Sequence, residues 1–313
     1  MTSVPTPEPW PLSHLGVDVG GTNIKAIVLT EIDGTPTVTN RTECRTLGET
    51  AEEILAQIAE IALGLAGETT GVGGLGFSLP GAIDRKAGTA GVMPNLPGSW
   101  HDLPVRSIVE DLVGLPTSVV NDARAFTLAE SRLGAARGLG TVVGVTLGTG
   151  FGGGVAINGH LHEGASGFAG EIGHQILAIG GERCGCGNLG CAETFVRTQT
   201  LLEATGLPSV HAIFTQAAQG DPVAAAAVNS YIAHLAVALA NVHTLLCPDA
   251  FVIGGGIAAA GAQLFDPLLR QIRALITFDH PESVHLRPAE LGSIAGAIGA
   301  GLLAMDGVEP RIA

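Results

Sequence analysis

The segment His14-Leu15-Gly16-Val17-Asp18-Val19-Gly20-Gly21-Thr22-Asn23-Ile24-Lys25-Ala26-Ile27-Val28-Leu29 decides the fold class. It reads as a strand, a glycine turn and a second strand, a hairpin. Consecutive glycines at the bend, Gly20 and Gly21, turn backbone N–H groups outward, and these can hold phosphate oxygens because glycine permits close approach. Asp18 stands two residues before the turn, where a carboxylate can hold Mg²⁺ directly or through water, and Thr22 adds a hydroxyl. A second hairpin follows the same plan. Thr141 to Leu147 is the strand, Gly148-Thr149-Gly150 the turn, and Gly152 to Ile157 the return. Either hairpin alone is also readable as an ordinary β-turn; the pair, with an Asp in the first, points to phosphate binding and to a duplicated architecture.

Working outward, strands and helices alternate, which indicates α/β layers. Ala51 to Ala66 has helical spacing, with Ile54, Leu55, Ile58, Ile61 and Leu65 on one face. Val72 to Leu79 is a strand ending at Pro80-Gly81, Val105 to Val113 a short helix, and Thr117 to Val120 a strand running into Asn121-Asp122. Ala123 to Leu133 looks helical, as does an Ala-rich stretch from Val223 to Leu246, which precedes a strand at Ala250 to Ile253. These readings give a smaller N-terminal domain over residues 1–120 and a larger one over residues 121–293. A final apolar helix, within residues 294–313, is expected to pack back on the first domain.

The chain has 313 residues, 29 of them acidic against 15 basic, for a formal net charge of −14. Such a surface repels nucleic acid and anionic membranes, so neither is an expected partner. No Asp, Glu, Lys or Arg occurs between Asp221 and Asp249, but Asn229, Ser230, His234, Asn241 and His243 make that stretch a buried helix rather than a spanning one. Met1 to His14 has three prolines before Trp10 and neither a basic start nor an apolar run, so it reads as a short arm and not a signal peptide, consistent with a cytoplasmic protein.

Three of the five cysteines, Cys184, Cys186 and Cys191, fall within eight residues. Clustering of this kind reads as metal binding before disulfides. With His174 they supply the four ligands of a closed Cys3His site, so the ion expected is a structural zinc, and the glycines between them let the chain wrap tightly. Cys44 and Cys247 read as isolated, buried thiols. Glu171 and His174 lie three apart and share a face if the segment is helical, while Glu193 stands two beyond Cys191, so an ion that fixes Cys191 also fixes Glu193.

No Gly-x-x-x-x-Gly-Lys-Ser/Thr motif occurs, which excludes a P-loop. Gly254-Gly255-Gly256-Ile257-Ala258-Ala259 matches the loose dinucleotide pattern, but the acidic residue that should follow is at best Asp279. These glycines read better as a turn packing against an adenosine.

In order along the chain stand Asp18-Val19-Gly20-Gly21-Thr22, Leu79-Pro80-Gly81, Pro94-Asn95-Leu96, Asn121-Asp122, Gly170-Glu171-Ile172-Gly173-His174 and Cys184-Gly185-Cys186-Gly187-Asn188-Leu189-Gly190-Cys191-Ala192-Glu193. Together they resemble the ROK family (repressors, open reading frames and kinases) of the actin-like ATPase superfamily, from about Leu15 to Met305. The resemblance implies two α/β domains of ribonuclease H-like fold with a cleft between them, a homodimer, and phosphorylation of a hexose by Mg-ATP. It implies Asp122 as catalytic base, and Asn95, Asn121, Glu171, His174 and Glu193 as sugar-hydroxyl ligands, with the Gly81 loop lining the sugar. Asp18, Gly20, Gly21 and Thr22 match the first phosphate motif; Gly148, Thr149 and Gly150 match the second. Phe77-Ser78-Leu79 departs from the smaller residues common before the Pro-Gly of the sugar loop. Glucose is the sugar the resemblance favours, ahead of fructose, mannose, N-acetylglucosamine and N-acetylmannosamine. A sugar-responsive repressor is the reading of another class; the acidic chain, with few residues before the first strand, speaks against it.

Overall fold

The computed structural model describes residues 13–307. Of the N-terminal arm only Ser13 and His14 fall among them, and the last helix read from the sequence is described as far as Gly307. The chain divides into two compact units: one runs up to Ala125 and resumes at Ile294, and the other spans Phe126–Ser293. The first division falls inside one continuous helix, a few residues beyond the boundary read near Asn121.

The first unit is built on β1 (Ser13–Val19), β2 (Asn23–Ile32) and β3 (Thr35–Arg45), then α1 (Ala51–Gly67), β4 (Val72–Leu79), the small ladder β5 (Ile83–Asp84) and β6 (Thr89–Ala90), α2 (Val105–Val113), β7 (Thr117–Asn121) and the start of α3 (Asp122–Arg132). Its main sheet has the order β3-β2-β1-β4-β7. The first three strands are antiparallel, and β4 and β7 add in parallel. Leu15, Val17, Leu75 and Phe77 are fully buried, as central strands covered on both faces require. Thr50 and Glu53 form a reciprocal capping box that starts α1, whose Ile54, Leu55 and Ile58 face the core.

The second unit contains β8 (Thr141–Leu147), β9 (Phe151–Ile157) and β10 (His160–Leu161), the helices α4 (Ala192–Val196), α5 (Thr198–Thr205), α6 (Val210–Ala218) and α7 (Pro222–Leu246), then β11 (Ala250–Gly254), α8 (Ala262–Leu275) and β12 (Leu286–Pro288). Its sheet order is β10-β9-β8-β11-β12, again three antiparallel strands followed by two parallel ones. Each unit therefore carries a glycine-turn hairpin at the same place in the same strand order. By length and composition α7 is apolar enough to cross a membrane; its Tyr231, Leu235 and Leu239 are instead part of the core of this unit. Cys44 is half-buried and Cys247 exposed, contrary to the buried thiols expected, because one lies on the edge strand β3 and the other at the end of α7.

The last helix, α9 (Ala295–Gly307), belongs to the first unit and lies across β1 and β4. Its buried residues include Ala295, Gly296, Ala297, Gly299, Ala300 and Gly301, so its backbone comes close to the sheet. A Cβ on Gly16 would fall against the carbonyl oxygen of Ala297, and one on Gly76 against that of Ala300. Backbone cannot swing aside as a side-chain tip can. We expect Gly76→Ala to cost about 3 kcal/mol or more through overpacking. Gly64→Ala is the control, because no atom lies within 4 Å of the added carbon on α1; helix propensity makes it neutral or stabilising by up to about 1 kcal/mol. Thermal melts of the two variants beside the unaltered chain check the contrast.

Candidate functional site

In the first unit the β1–β2 bend is pinned from both sides. Gly20 N–H donates to Asn23 O at 2.9 Å, and Thr46 Oγ1 donates to Gly20 O at 2.7 Å. Gly21 and Thr22 are exposed at its tip. The loop carrying Asn95 packs on this bend, for a Cβ on Gly21 would lie 2.8 Å from Asn95 O. Leu96 and Trp100, both buried, anchor that loop, and the Trp100 indole donates to Pro97 O at 2.7 Å. Asp18, next to last in β1, lies opposite Lys25, and Ser78 Oγ donates to its Oδ1 at 2.6 Å. Burial raises the Asp18 carboxyl above the usual carboxylate range, against the lowering by Ser78 and Lys25. Ser78, part of the departure at 77–79, is thus a partner of the proposed Mg²⁺ ligand, which the sequence did not signal.

The junction of β7 and α3 assigns different tasks to two adjacent residues. Asn121 Oδ1 accepts from Arg124 N–H at 3.2 Å, the bond of a helix N-cap. Asn121 Nδ2 donates to Gly81 O and to Asp122 Oδ1, both at 3.0 Å. Asp122 Oδ1 also accepts from Ala123 N–H at 2.8 Å. Capping, the ordinary task of an Asp after a strand, is therefore done by Asn121, and Asp122 sits in the first turn with the positive end of the helix dipole beside it. Gly81, at φ +102°, has its backbone against Val92 and Met93, a conformation and a space that exclude a side chain.

In the second unit the β8–β9 bend, Gly148 to Gly150, closes with Gly148 N–H donating to Gly150 O at 3.0 Å, and Thr149 is exposed at its tip. Gly255, beyond β11, packs against the backbone of Leu147. A short 3-10 turn at Gly256–Ala260 then leads to α8, so these glycines do not open a helix as the dinucleotide fingerprint does. Asp279 accepts hydrogen bonds from Ser283 Oγ at 2.8 Å and His280 N–H at 2.7 Å, which, with His243 beside it, hold its carboxyl down at about 2.

His174 ends a 3-10 turn, and no α-helix joins it to Glu171. Glu171 is the residue before the turn Ile172–His174, and His174 N–H donates to Glu171 O at 3.1 Å. His174, Cys184, Cys186 and Cys191 converge, each offering a donor atom within 4.8 Å of the others. His174 Nδ1 is 3.7 Å from Cys184 Sγ, and the sulfurs of Cys186 and Cys191 are 3.6 Å apart. Ligands about 2.3 Å from a tetrahedral zinc stand about 3.8 Å from one another, so the donor set fits such an ion. The sulfurs are too far apart for a disulfide, whose bond is about 2.05 Å. Burial pushes the Cys184 thiol up to about 12 and also raises Cys191. For Cys186, burial is outweighed by the Asn188 amide and the two neighbouring thiols, which hold it below the usual range. Raised thiols stay protonated at neutral pH unless a cation takes their charge. Glu193, half-buried in the first turn of α4, has Oε1 3.5 Å from Cys184 Sγ, and its Oε2 accepts from Phe151 N–H at 3.1 Å.

Known proteins resemble this chain along nearly its whole length. The profile described as the ROK family matches residues 14–307. A glucokinase of Halalkalibacterium halodurans is 32% identical over 93% of this chain and 94% of its own. A putative xylose repressor of Caldicellulosiruptor sp. is 31% identical over 91% of this chain and 77% of the repressor. A ROK family glucokinase from Streptomyces griseus, solved in complex with glucose and AMPPNP, is 34% identical and aligns with a TM-score of 0.78 over 94% of this chain and 100% of that one. The two α/β units are accordingly those of the actin-like ATPase fold.

The raised Asp18 carboxyl has a consequence for stability. A folded-state pKa above the unfolded one means that the ionised group costs stability, and that the cost grows as pH rises through the folded value. Asp18→Asn keeps an acceptor for Ser78 and removes the charge, so its melting temperature at pH 7 should exceed that of the unaltered chain. The difference should vanish near pH 4, as scanning calorimetry at the two pH values would register.

Proposed function

The chain belongs to the ROK family, and on that premise we propose that it transfers the γ-phosphoryl group of ATP to a hexose, with glucose as the hexose and its C6 hydroxyl as the acceptor. The β7–α3 junction carries this reading. Asn121 takes over the capping task and donates to Asp122 Oδ1, which orients a carboxylate at a helix N-terminus. A base so held accepts the proton of the attacking hydroxyl, while Asn121 in turn holds the Gly81 loop. Phosphoryl transfer asks for positioning and charge neutralisation more than for covalent chemistry. Gly20, Gly21 and Thr22 of the first unit, and Gly148, Thr149 and Gly150 of the second, grip the phosphates, and Gly254 to Gly256 pack against the adenosine. Mg²⁺ bound with ATP neutralises charge on the phosphates, and Asp18 holds it directly or through water. Asn95, Asn121, Glu171, His174 and Glu193 receive the sugar hydroxyls; an epimer that leaves one of these groups unpaired is rejected.

His174, Cys184, Cys186 and Cys191 hold a structural zinc, which ties the loop carrying Glu171 to the start of α4 carrying Glu193. Free thiols of this kind persist in the cytoplasm, where we place the protein. Family likeness supports a homodimer. The similarity to a xylose repressor supports a second reading, sugar-dependent DNA binding; the net charge of −14 speaks against it.

Coupled ADP release with Mg-ATP across glucose, fructose, mannose, N-acetylglucosamine and N-acetylmannosamine tests the activity. The highest kcat/KM is expected with glucose. Silence with every sugar, together with DNA retention at low salt, would reverse the order of the two readings. Asp122→Asn should bind glucose as before and turn over about 10²–10⁴-fold more slowly; near-normal turnover removes Asp122 as the base. Metal analysis should find about one zinc per chain, falling to none in Cys186→Ser, as a four-ligand site requires.

A further inference from the structure

The Cys/His cluster and the β8–β9 bend are joined by more than neighbourhood. The segment from Glu193 to Thr198 touches both ends of the bend. Glu193 Oε2 accepts from Phe151 N–H at 3.1 Å, and Thr198 N–H donates to Gly148 O at 2.8 Å. Gly150 also lies close to this segment, for a Cβ there would be 2.6 Å from Glu193 Oε2. The other end of the segment is tied to the cluster. Cys191 is the N-cap of α4 and its carbonyl accepts from Thr194 Oγ1 at 2.8 Å. Glu193 Oε1 stands 3.5 Å from Cys184 Sγ, and Arg197 pairs at 2.6 Å with Glu182, two residues before Cys184. Glu193–Thr198 is thus a strap, fastened to the cysteine loop at Cys191 and Glu182 and to the glycine bend at Gly148 and Phe151.

We propose that this strap makes nucleotide affinity depend on occupancy of the Cys/His site, with Glu193 as the positioning residue. The inference rests on the reading that Gly148 to Gly150 grip the phosphates. It adds that the ion shapes the ATP side of the reaction as well as the sugar side. An ion on Cys184 and Cys191 fixes the entry to α4, α4 fixes the Glu193 carboxylate, and the carboxylate fixes the Phe151 amide that begins β9. Without the ion, the loop between His174 and Cys191 loses its common anchor, and of the strap's two bonds to the bend only that of Thr198 keeps its hold. Hydrogen bonds to a charged acceptor are the stronger class, so the loss should be measurable in the affinity for phosphates.

Calorimetric titration of the full chain with AMPPNP, in the absence of sugar, tests the proposal on four samples: zinc-loaded, chelator-stripped, and zinc-loaded Glu193→Ala and Glu193→Gln. Stripping should weaken AMPPNP about tenfold, the effect of one charged hydrogen bond. Glu193→Ala, its zinc content unchanged, should be weakened about as much, and stripping it should then change affinity less than about twofold, because coupled effects do not add. Glu193→Gln, which still offers Phe151 an acceptor, should stay within about threefold of the unaltered chain. Hydrogen exchange at the Phe151 amide should quicken in Glu193→Ala and in the stripped chain, but not in Glu193→Gln. Equal affinity with and without zinc, or Ala and Gln variants that bind alike, overturns the strap while leaving the kinase reading intact. A zinc-loaded chain that binds no AMPPNP overturns that reading and the strap with it. Should stripping abolish the cooperative melt, the zinc-loaded Ala and Gln variants decide alone.

Discussion

A loop with almost no regular structure between His160–Leu161 and Ala192–Val196 has to hold four donor atoms within 4.8 Å of one another, and the path of the second unit from Glu171 to Glu193 depends on that convergence. Such a loop has little core of its own. Cys184 and Cys191 are buried, but Ile176, Ile179 and Leu189 beside them are exposed, so apolar burial cannot fix its path. Backbone bonds help: Leu177 N–H donates to Gly190 O at 2.8 Å and Cys184 N–H to Asn188 O at 2.9 Å. They close small local rings and leave the imidazole and the three thiols to set the larger geometry. Burial drives two of these thiols above their usual range, so giving up their protons is costly without a shared cation and favourable with one.

The two sheets show what the rest of the chain contributes. In each, a hairpin enters the middle of a five-stranded sheet and its glycine bend projects from the end of a largely buried strand. Burial makes the strand rigid; the bend takes its position from that rigidity and from bonds made by its surroundings, Thr46 in one unit and Thr198 in the other. The partners differ although the strand order is the same. The first bend is held by its own sheet neighbour, whereas the second is held by a segment that begins two residues beyond a proposed metal ligand, Cys191. Duplicated sheets have in this way come to be braced by unlike means.

Legibility followed the range of the signal. The hairpins, α1, β4, α7 and β11 could be read because their apolar spacing or glycine bends are local. β3 was missed because it is an edge strand of mostly exposed polar residues, and β12 because three residues including Arg287 and Pro288 carry no period. The spacing of Glu171 and His174 put them on one face only if the segment were helical; the structure has a 3-10 turn that begins after Glu171, a difference that spacing does not carry. Among site residues, the spacing of His174, Cys184, Cys186 and Cys191 sufficed to predict that they meet. Nothing local could have shown that Ser78 holds Asp18 or that Glu193 reaches Phe151, because those bonds join positions 60 and 42 apart and depend on how the chain packs, whereas the Asn121 cap of α3 spans only three residues.

The glycine content is where a compositional reading most needs the structure. With 46 glycines, the sequence suggests backbone approaching a ligand. Part of that content serves another purpose. Gly16 and Gly76 admit the backbone of α9 onto the sheet, and Gly299 admits the α3 backbone at Ala125. Gly296 lies directly over the Asp18 carboxylate, where a Cβ would be 2.6 Å from Oδ1. These are contacts of protein with protein, and they have a bearing on chemistry all the same. A helix seated that closely leaves little room for water around Asp18, and desolvation is the largest cause of its raised carboxyl. A carboxylate poorly solvated by water gains more from a cation than one already hydrated. The small residues of α9, far from the glycine bends in sequence, therefore help to set how strongly Asp18 would hold the metal of a bound nucleotide.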